Sequence, residues 1–153
     1  MFLFKASGKT YARVKKHAVH AFPFGPHEAP SGQFVLLSKN REDCRPTERQ
    51  IQCAAKLLRV RPATPAELDE RFPGVGAGQR WRFAVELYWM RPLEEPFNLS
   101  QVRGIKARRY DAVQGFARID DVDEQALLKH LIRTNPRVIL DFINNAEQPK
   151  TDA

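Results

Sequence analysis

The sequence predicts an α+β or small-barrel fold, and three observations carry that expectation. Short apolar runs of strand type recur at residues 2–4, 34–37, 51–60, 81–90 and 113–119, each closed off by proline, glycine or small polar residues. Helical periodicity is concentrated near the C-terminus, after residue 120. Helices therefore flank the strands instead of alternating with them, which argues against a doubly wound parallel sheet.

Taken in order, Phe2-Leu3-Phe4 opens as a strand, and Lys5, Ala6, Ser7 and Gly8 turn the chain out of it. A helix of modest periodicity follows around Tyr11 to His20. Phe22-Pro23-Phe24-Gly25-Pro26 and Pro30-Ser31-Gly32 cannot lie inside a helix, because proline lacks the donor and its ring clashes with the preceding turn. They form a loop that carries two aromatic side chains. Residues 32–61 then read as two buried strands, 34–37 and 51–60, joined by a polar loop bearing Arg41, Arg45 and Arg49 and broken by Pro46. The first strand ends at Ser38-Lys39-Asn40. Small polar and basic groups delivered to the end of a buried strand build the rim of a pocket.

Pro62 and Pro65 end the second strand, with Thr64 as a cap and Pro65 at the first position of a short helical turn reaching Glu70. Residues 72–78 are rich in glycine, but no Gly-Lys-Ser/Thr follows, so they are no phosphate loop. A strand rather than a helix comes next, so they are no dinucleotide fingerprint either. Residues 81–90 make a long strand, Arg91-Pro92 and Glu95-Pro96 a turn, and residues 97–102 a short element. A basic stretch with Arg103, Lys106, Arg108 and Arg109 leads to the last strand at 113–119. Asp123 caps a helix with Leu127, Leu128, Leu131 and Ile132 on one face. Asn135-Pro136 caps and opens a second helix that buries Ile139, Phe142 and Ile143. Residues 1–146 are expected to form one domain and 147–153 a flexible tail.

A chain of 153 residues can build a core without disulfide or metal staples. The formal charge of +7 and pI near 9.7 favour a polyanionic partner, and nucleic acid is the commonest. No apolar stretch approaches the roughly 20 residues of a membrane span, and the N-terminus has its basic residues in the wrong order for a signal peptide. Cys44 and Cys53 fit free thiols in a reducing, cytoplasmic setting.

Catalytic chemistry finds no support. His17, His20 and His27 have no metal-ligand spacing, and neither a metal nor a cofactor is expected. Asp120, Asp121 and Asp123 stand at a helix start, where carboxylates favour the dipole. A metal-dependent nuclease needs converging carboxylates, and the strand near residue 86 offers Glu86 alone. Aromatic groups beside loops are the better signal. Phe22, Phe24, Phe72, Trp81 and Trp89 lie in or near irregular segments, with Arg41, Arg45, Arg49, Arg80 and Arg82 close by in sequence. A base lifted from a nucleic acid is held by stacking plus edge hydrogen bonds, while arginines hold phosphates. Trp81 and Trp89 fit core and site equally well, since an aromatic at strand spacing is as readily buried.

The order FLFKAS, GQFVLLSKN, IQCAAKLLRV, RWRFAVELYWMRPLEEPFNL and AVQGFARID resembles the EVE domain and its relative the YTH domain, of the PUA-like superfamily. The resemblance spans residues 1–133. It implies a PUA-like distorted small β-barrel flanked by helices, and a non-enzymatic protein whose pocket accepts one modified base, such as a methylated adenine or cytosine. Carried over by position, it implies base contacts at Lys5, Ser7, Ser38, Lys39 and Asn40, with Phe72 as an aromatic wall; Trp81, from its place beside the glycine-rich loop, is added to the same pocket. The cage tryptophan that EVE proteins carry after the first strand is absent, and Phe22 and Phe24 are the candidates to replace it. Arg41, Arg45, Arg49, Arg108 and Arg109 are then expected to hold phosphates of DNA or RNA. A nuclease partner, as in modification-dependent restriction, belongs to the same expectation. The alternatives are general RNA or DNA binding without base selectivity, and a small nucleoside hydrolase on the same fold, which would need a catalytic lysine, with Lys5, Lys15, Lys16 and Lys39 as candidates.

Overall fold

The computed structural model describes residues 1–6, 8–22, 29–39, 50–63, 83–106, 110 and 115–145. Among these residues six strands form one mixed sheet: β1 (Phe2–Ala6), β2 (Val19–Phe22), β3 (Phe34–Lys39), β4 (Ile51–Pro62), β5 (Phe83–Phe97) and β6 (Gly115–Arg118). Three helices accompany them, α1 (Gly8–His17), α2 (Asp121–Thr134) and α3 (Pro136–Asn144), with a 3-10 turn at Leu99–Gln101. The strand order is β2-β5-β4-β3-β1-β6, with β1 and β3 parallel and the other pairs antiparallel. The α+β class predicted from the sequence is the one observed. Among the described residues the edge strands β2 and β6 come near each other without a hydrogen-bonded ladder, so the sheet curls towards a barrel and is not closed.

The continuous apolar runs have a plain cause: both faces of the central strands are buried. Met1, Leu3, Phe34 and Leu36 point to one core, which they share with α2 and α3. Phe2, Phe4, Val35 and Leu37 point to the other, inside the curl of the sheet, where Tyr11 and Val14 of α1 close it. Cys53 lies in this inner core as a free thiol; Cys44 is outside the described residues.

Several boundaries differ from the sequence expectation. β1 runs on to Ala6 and α1 begins at once at Gly8, earlier than Tyr11. Ala18, in the left-handed region at φ +55°, donates to the Val14 carbonyl at 2.7 Å and ends the helix. The chain then enters β2, where the sequence suggested only the tail of a helix. β5 passes straight through Pro92 and Pro96 instead of turning there. Among the described residues β2 covers β5 only from Phe83 to Glu86, so beyond that point β5 has one strand neighbour there and an open edge. A proline on such a strand removes no ladder bond that the sheet needs.

At the C-terminal end, Asp120 rather than Asp123 occupies the N-cap of α2. Asp123 is buried instead, accepting from the Tyr110 hydroxyl at 2.6 Å and the Lys106 N–H at 3.2 Å. Asn135 and Pro136 open α3 as expected, and the buried face of α3 is Val138, Ile139 and half-buried Phe142. Ile143 is 68% exposed, against the expectation that it is buried, and Ile132, expected on the apolar face of its helix, is 56% exposed. Each lies at the edge of its helix's apolar arc, and the one available sheet face takes only the centre of that arc. Trp89 resolves to core, at 6% exposure.

α3 is held to the sheet by polar as well as apolar contacts. Lys56, buried on β4, donates to the Asn145 carbonyl at 2.9 Å, with its ammonium 4.9 Å from the Phe142 ring centre and 5.5 Å from that of Trp89. A cation at a helix C-terminus complements the dipole, and the two rings help replace its lost hydration. Asp141 accepts from the Trp89 indole at 2.9 Å and from Arg91 at 3.0 Å.

His130 gives the fold a pH dependence. Its ring packs on Phe97 with centroids 4.5 Å apart, Arg133 stands 3.5 Å from Nδ1, and Nε2 has no partner among the described residues. Burial first and Arg133 second hold the imidazole below its ordinary 6.5, with Glu95 opposing in part. The folded state thus favours the neutral ring. Its contribution to stability is complete above 6.5 and is lost as pH falls from there through the lowered folded value. Denaturant titrations between about pH 7.5 and 5 should show this slope, and His130→Phe should flatten it.

Candidate functional site

The side chains best placed for chemistry gather where α1 covers the open end of the inner core. Tyr11 and Val14, three apart on the helix, are buried against the sheet, while Lys15 and Lys16 stay exposed. Tyr11 is 4% exposed, and its hydroxyl has no hydrogen-bond partner among the described residues. Two ammonium groups stand against its ring, Lys39 at 5.5 Å and Lys15 at 5.9 Å from the ring centre. Lys15 is one helical turn from Tyr11, and Lys39 comes from the end of β3. Neither lysine has a carboxylate partner among the described residues.

Cys53 of β4 lies within electrostatic reach of both Tyr11 and Lys15. Burial, and secondarily Cys53, push the Tyr11 phenol well above its usual range. Burial pushes the Cys53 thiol up to about 11, against the opposing pull of Lys15 and a backbone hydrogen bond from Arg91. At neutral pH both groups keep their protons. The thiol is no ready nucleophile, and the cluster is a set of donors and cations facing the end of the sheet.

The structure separates residues that the sequence reading placed on one rim. Lys5 and Ser38 are register partners across the parallel β1–β3 pair, as are Ala6 and Lys39 one position later. Side chains alternate along a strand, so these successive pairs serve opposite faces. Lys5 and Ser38 follow Leu3 and Leu36 to the α2 side, where the Lys5 ammonium donates to the Tyr110 carbonyl and Ser38 is buried. Tyr110 is itself pinned there: burial and its hydrogen bond to Asp123 push its hydroxyl up to about 12. Lys39 follows Leu37 to the inner face and meets Tyr11.

Phe22 is the last residue of β2, paired with Phe83. Ser7, Phe24, Asn40, Phe72 and Trp81 fall outside the described residues, as do Arg41, Arg45, Arg49, Arg108 and Arg109. Glu86, the single acid noted on its strand, is claimed by two arginines: Arg59 at 2.8 Å and Arg61 at 2.6 Å. Burial acts to raise its carboxyl, and those hydrogen bonds outweigh it and hold it below 4.5. Among the described residues no group of three His, Cys, Asp or Glu side chains could hold a metal ion, and no helix is long and apolar enough to cross a membrane.

Tyr11 has no role in the sequence reading, and Lys15 enters it only beside Lys5, Lys16 and Lys39 as a candidate lysine of the hydrolase alternative. Their spacing of four was visible there, but Lys39 joins them only in space.

This architecture has solved counterparts. ASCH from Zymomonas mobilis superposes with a TM-score of 0.61 at 15% identity, over 84% of this chain and 93% of that one. A tyrosine-to-phenylalanine mutant of the same protein gives 0.60 at 15% identity, over 84% of this chain and 96% of that one. A serine-to-alanine mutant gives 0.59 at 16% identity, with 84% and 94% covered. The fold is the ASCH fold. It is a PUA-like fold, so the resemblance seen in the sequence holds at the level of the fold. No protein-family model matches the sequence, and no functionally curated protein is detectably similar to it. Within the ASCH fold, the Tyr11 cluster occupies the end of the sheet at which α1 leaves β1.

Proposed function

We propose that the protein is a non-enzymatic nucleic-acid-binding domain that seats a base, in the manner of an EVE domain a modified one, at the Tyr11 end of the sheet. One observation carries this reading. Among the described residues, an aromatic ring is flanked by two lysines without carboxylate partners, and its hydroxyl lacks a hydrogen-bond partner. In the free protein the ammonium groups shield the ring. A bound strand draws them to its phosphates and uncovers the ring for a base, whose edge satisfies the hydroxyl. The charge of +7 supports the same class of partner. Methylated adenine and cytosine are the first candidates, and a nuclease that acts on modified DNA or RNA is a fitting companion.

The test is a titration of single strands, each carrying one modified base, beside the matching plain strand. Lys15→Ala with Lys39→Ala should weaken every complex and lower the slope of log affinity against log salt by about 1.5 to 2. Tyr11→Phe should leave that slope in place and reduce the preference for the modified strand. Parental binding by both variants would place the site elsewhere. Equal affinity of the parent for modified and plain strands would leave the general nucleic-acid-binding reading, which the net charge favours on its own. Turnover of a modified nucleoside would overturn the non-enzymatic assignment.

A further inference from the structure

The far side of the molecule carries a second surface, independent of the Tyr11 end. α2 and α3 are joined by Asn135 alone, and each turns one face to solvent that mixes aliphatic and cationic groups. On α3, Arg137, Leu140 and Ile143 follow at intervals of three, all exposed, with Leu140 at 56% and Ile143 at 68%. On α2, Lys129, Ile132 and Arg133 lie within one turn, again all exposed. None of the three cations has a carboxylate partner among the described residues. Asp141, one turn beyond Arg137 on α3, is part-exposed but already committed to Trp89 and Arg91.

We infer that this face docks an acidic amphipathic helix of a partner protein. Leucine and isoleucine exposed between cations match a ligand with an apolar stripe edged by carboxylates, the pattern of a helix laid against a helical surface. A nucleic-acid backbone would satisfy the cations and leave the aliphatic groups wet. A second copy of the same face would set like charge against like across a two-fold axis. A membrane-surface helix uses exposed Trp or Phe and a wide apolar face, whereas α2 and α3 together expose the aliphatic side chains of Val122, Ile132, Leu140 and Ile143 and no aromatic beyond half-buried Phe142.

The experiment uses the full chain and a fluorescein-labelled helical peptide with leucine at i, i+3, i+4 and i+7 and glutamate on its flanks. Anisotropy should show saturable binding. Arg137→Glu with Leu140→Ser, both surface changes, should weaken it at least about tenfold, as should glutamine in place of the peptide's glutamates. Lys15→Ala with Lys39→Ala should leave it unchanged, which separates this surface from the proposed nucleic-acid site. The inference fails if the peptide does not bind, or if the double variant binds it like the parent. It also fails if the double variant instead abolishes attachment to phosphatidylglycerol vesicles or self-association in sedimentation, because the face would then belong to a membrane or to a second copy.

Discussion

Replacing Trp89 by glycine is expected to cost the protein less stability than replacing it by alanine. Trp89 holds a left-handed backbone at φ +48°. The register explains why. Ala54 pairs with Arg91 and Lys56 with Tyr88, so β5 carries one residue more than β4 across this interval. The extra residue makes a bulge, and the bulge position taken by Trp89 is one that glycine ordinarily fills because it has no Cβ. The tryptophan is retained for what its side chain does. It packs edge-on against Phe142, donates to Asp141, and stands under Lys56 and Arg91. Trp89→Ala loses all of this, about 3–5 kcal/mol, and keeps the strained backbone. Trp89→Gly loses the same contacts and relieves the strain, so it should be milder by about 1 kcal/mol after the entropy of a glycine in the unfolded chain is counted. Urea midpoints at constant m-value decide the matter. An alanine variant as stable as the glycine variant would mean that the bulge carries no strain.

The second large effect is expected at Asn135. This residue is fully buried and sits at the joint of α2 and α3, ending one helix and beginning the next. Its side chain caps neither helix. The carboxamide instead accepts from the Glu95 N–H at 2.8 Å and donates to the Glu95 carbonyl at 3.1 Å, as a neighbouring strand would. A further bond runs to the Thr134 hydroxyl at 2.9 Å. The open edge of β5 is thus completed by a side chain, and the helix pair is fixed to it. Asn135→Ala should cost roughly 2–3 kcal/mol, because polar groups at the joint lose their partners. Asn135→Asp should cost more, about 3–4 kcal/mol, since it removes both donors and sets a buried charge against a carbonyl oxygen. Threonine 134 offers the control: Thr134→Ala removes one of these partners and should cost about 1 kcal/mol. Chemical denaturation of the three variants orders them.

Parts of this structure were legible in the chain and parts were not, for reasons that differ by residue. The runs at 34–37 and 51–60 announced buried strands because both sheet faces are covered, so nearly every position had to be apolar. Asn135-Pro136 announced the start of α3 because proline at a first helical turn gives up no bond. Pro92 and Pro96 misled, because what a proline breaks depends on whether a neighbouring strand wants its N–H, and the sequence does not show which edge is open. At the candidate site, Lys5, Ser38 and Lys39 were visible as polar groups at strand ends. Their division between two faces follows from the parallel register of β1 with β3, a pairing between segments about thirty residues apart.

By itself, then, the sequence determined the α+β class, the apolar strands and the paired C-terminal helices, because these depend on local periodicity and on residues such as proline whose geometry is intrinsic. It also determined the basic character that points to a polyanion, since charge is a sum over residues. Only the tertiary structure decided that the sheet is not closed among the described residues, that Trp89 is core, and that Tyr11, Lys15 and Lys39 stand together at its end. Those outcomes rest on register and on contacts between distant segments, and a one-residue slip would exchange the two faces of every strand.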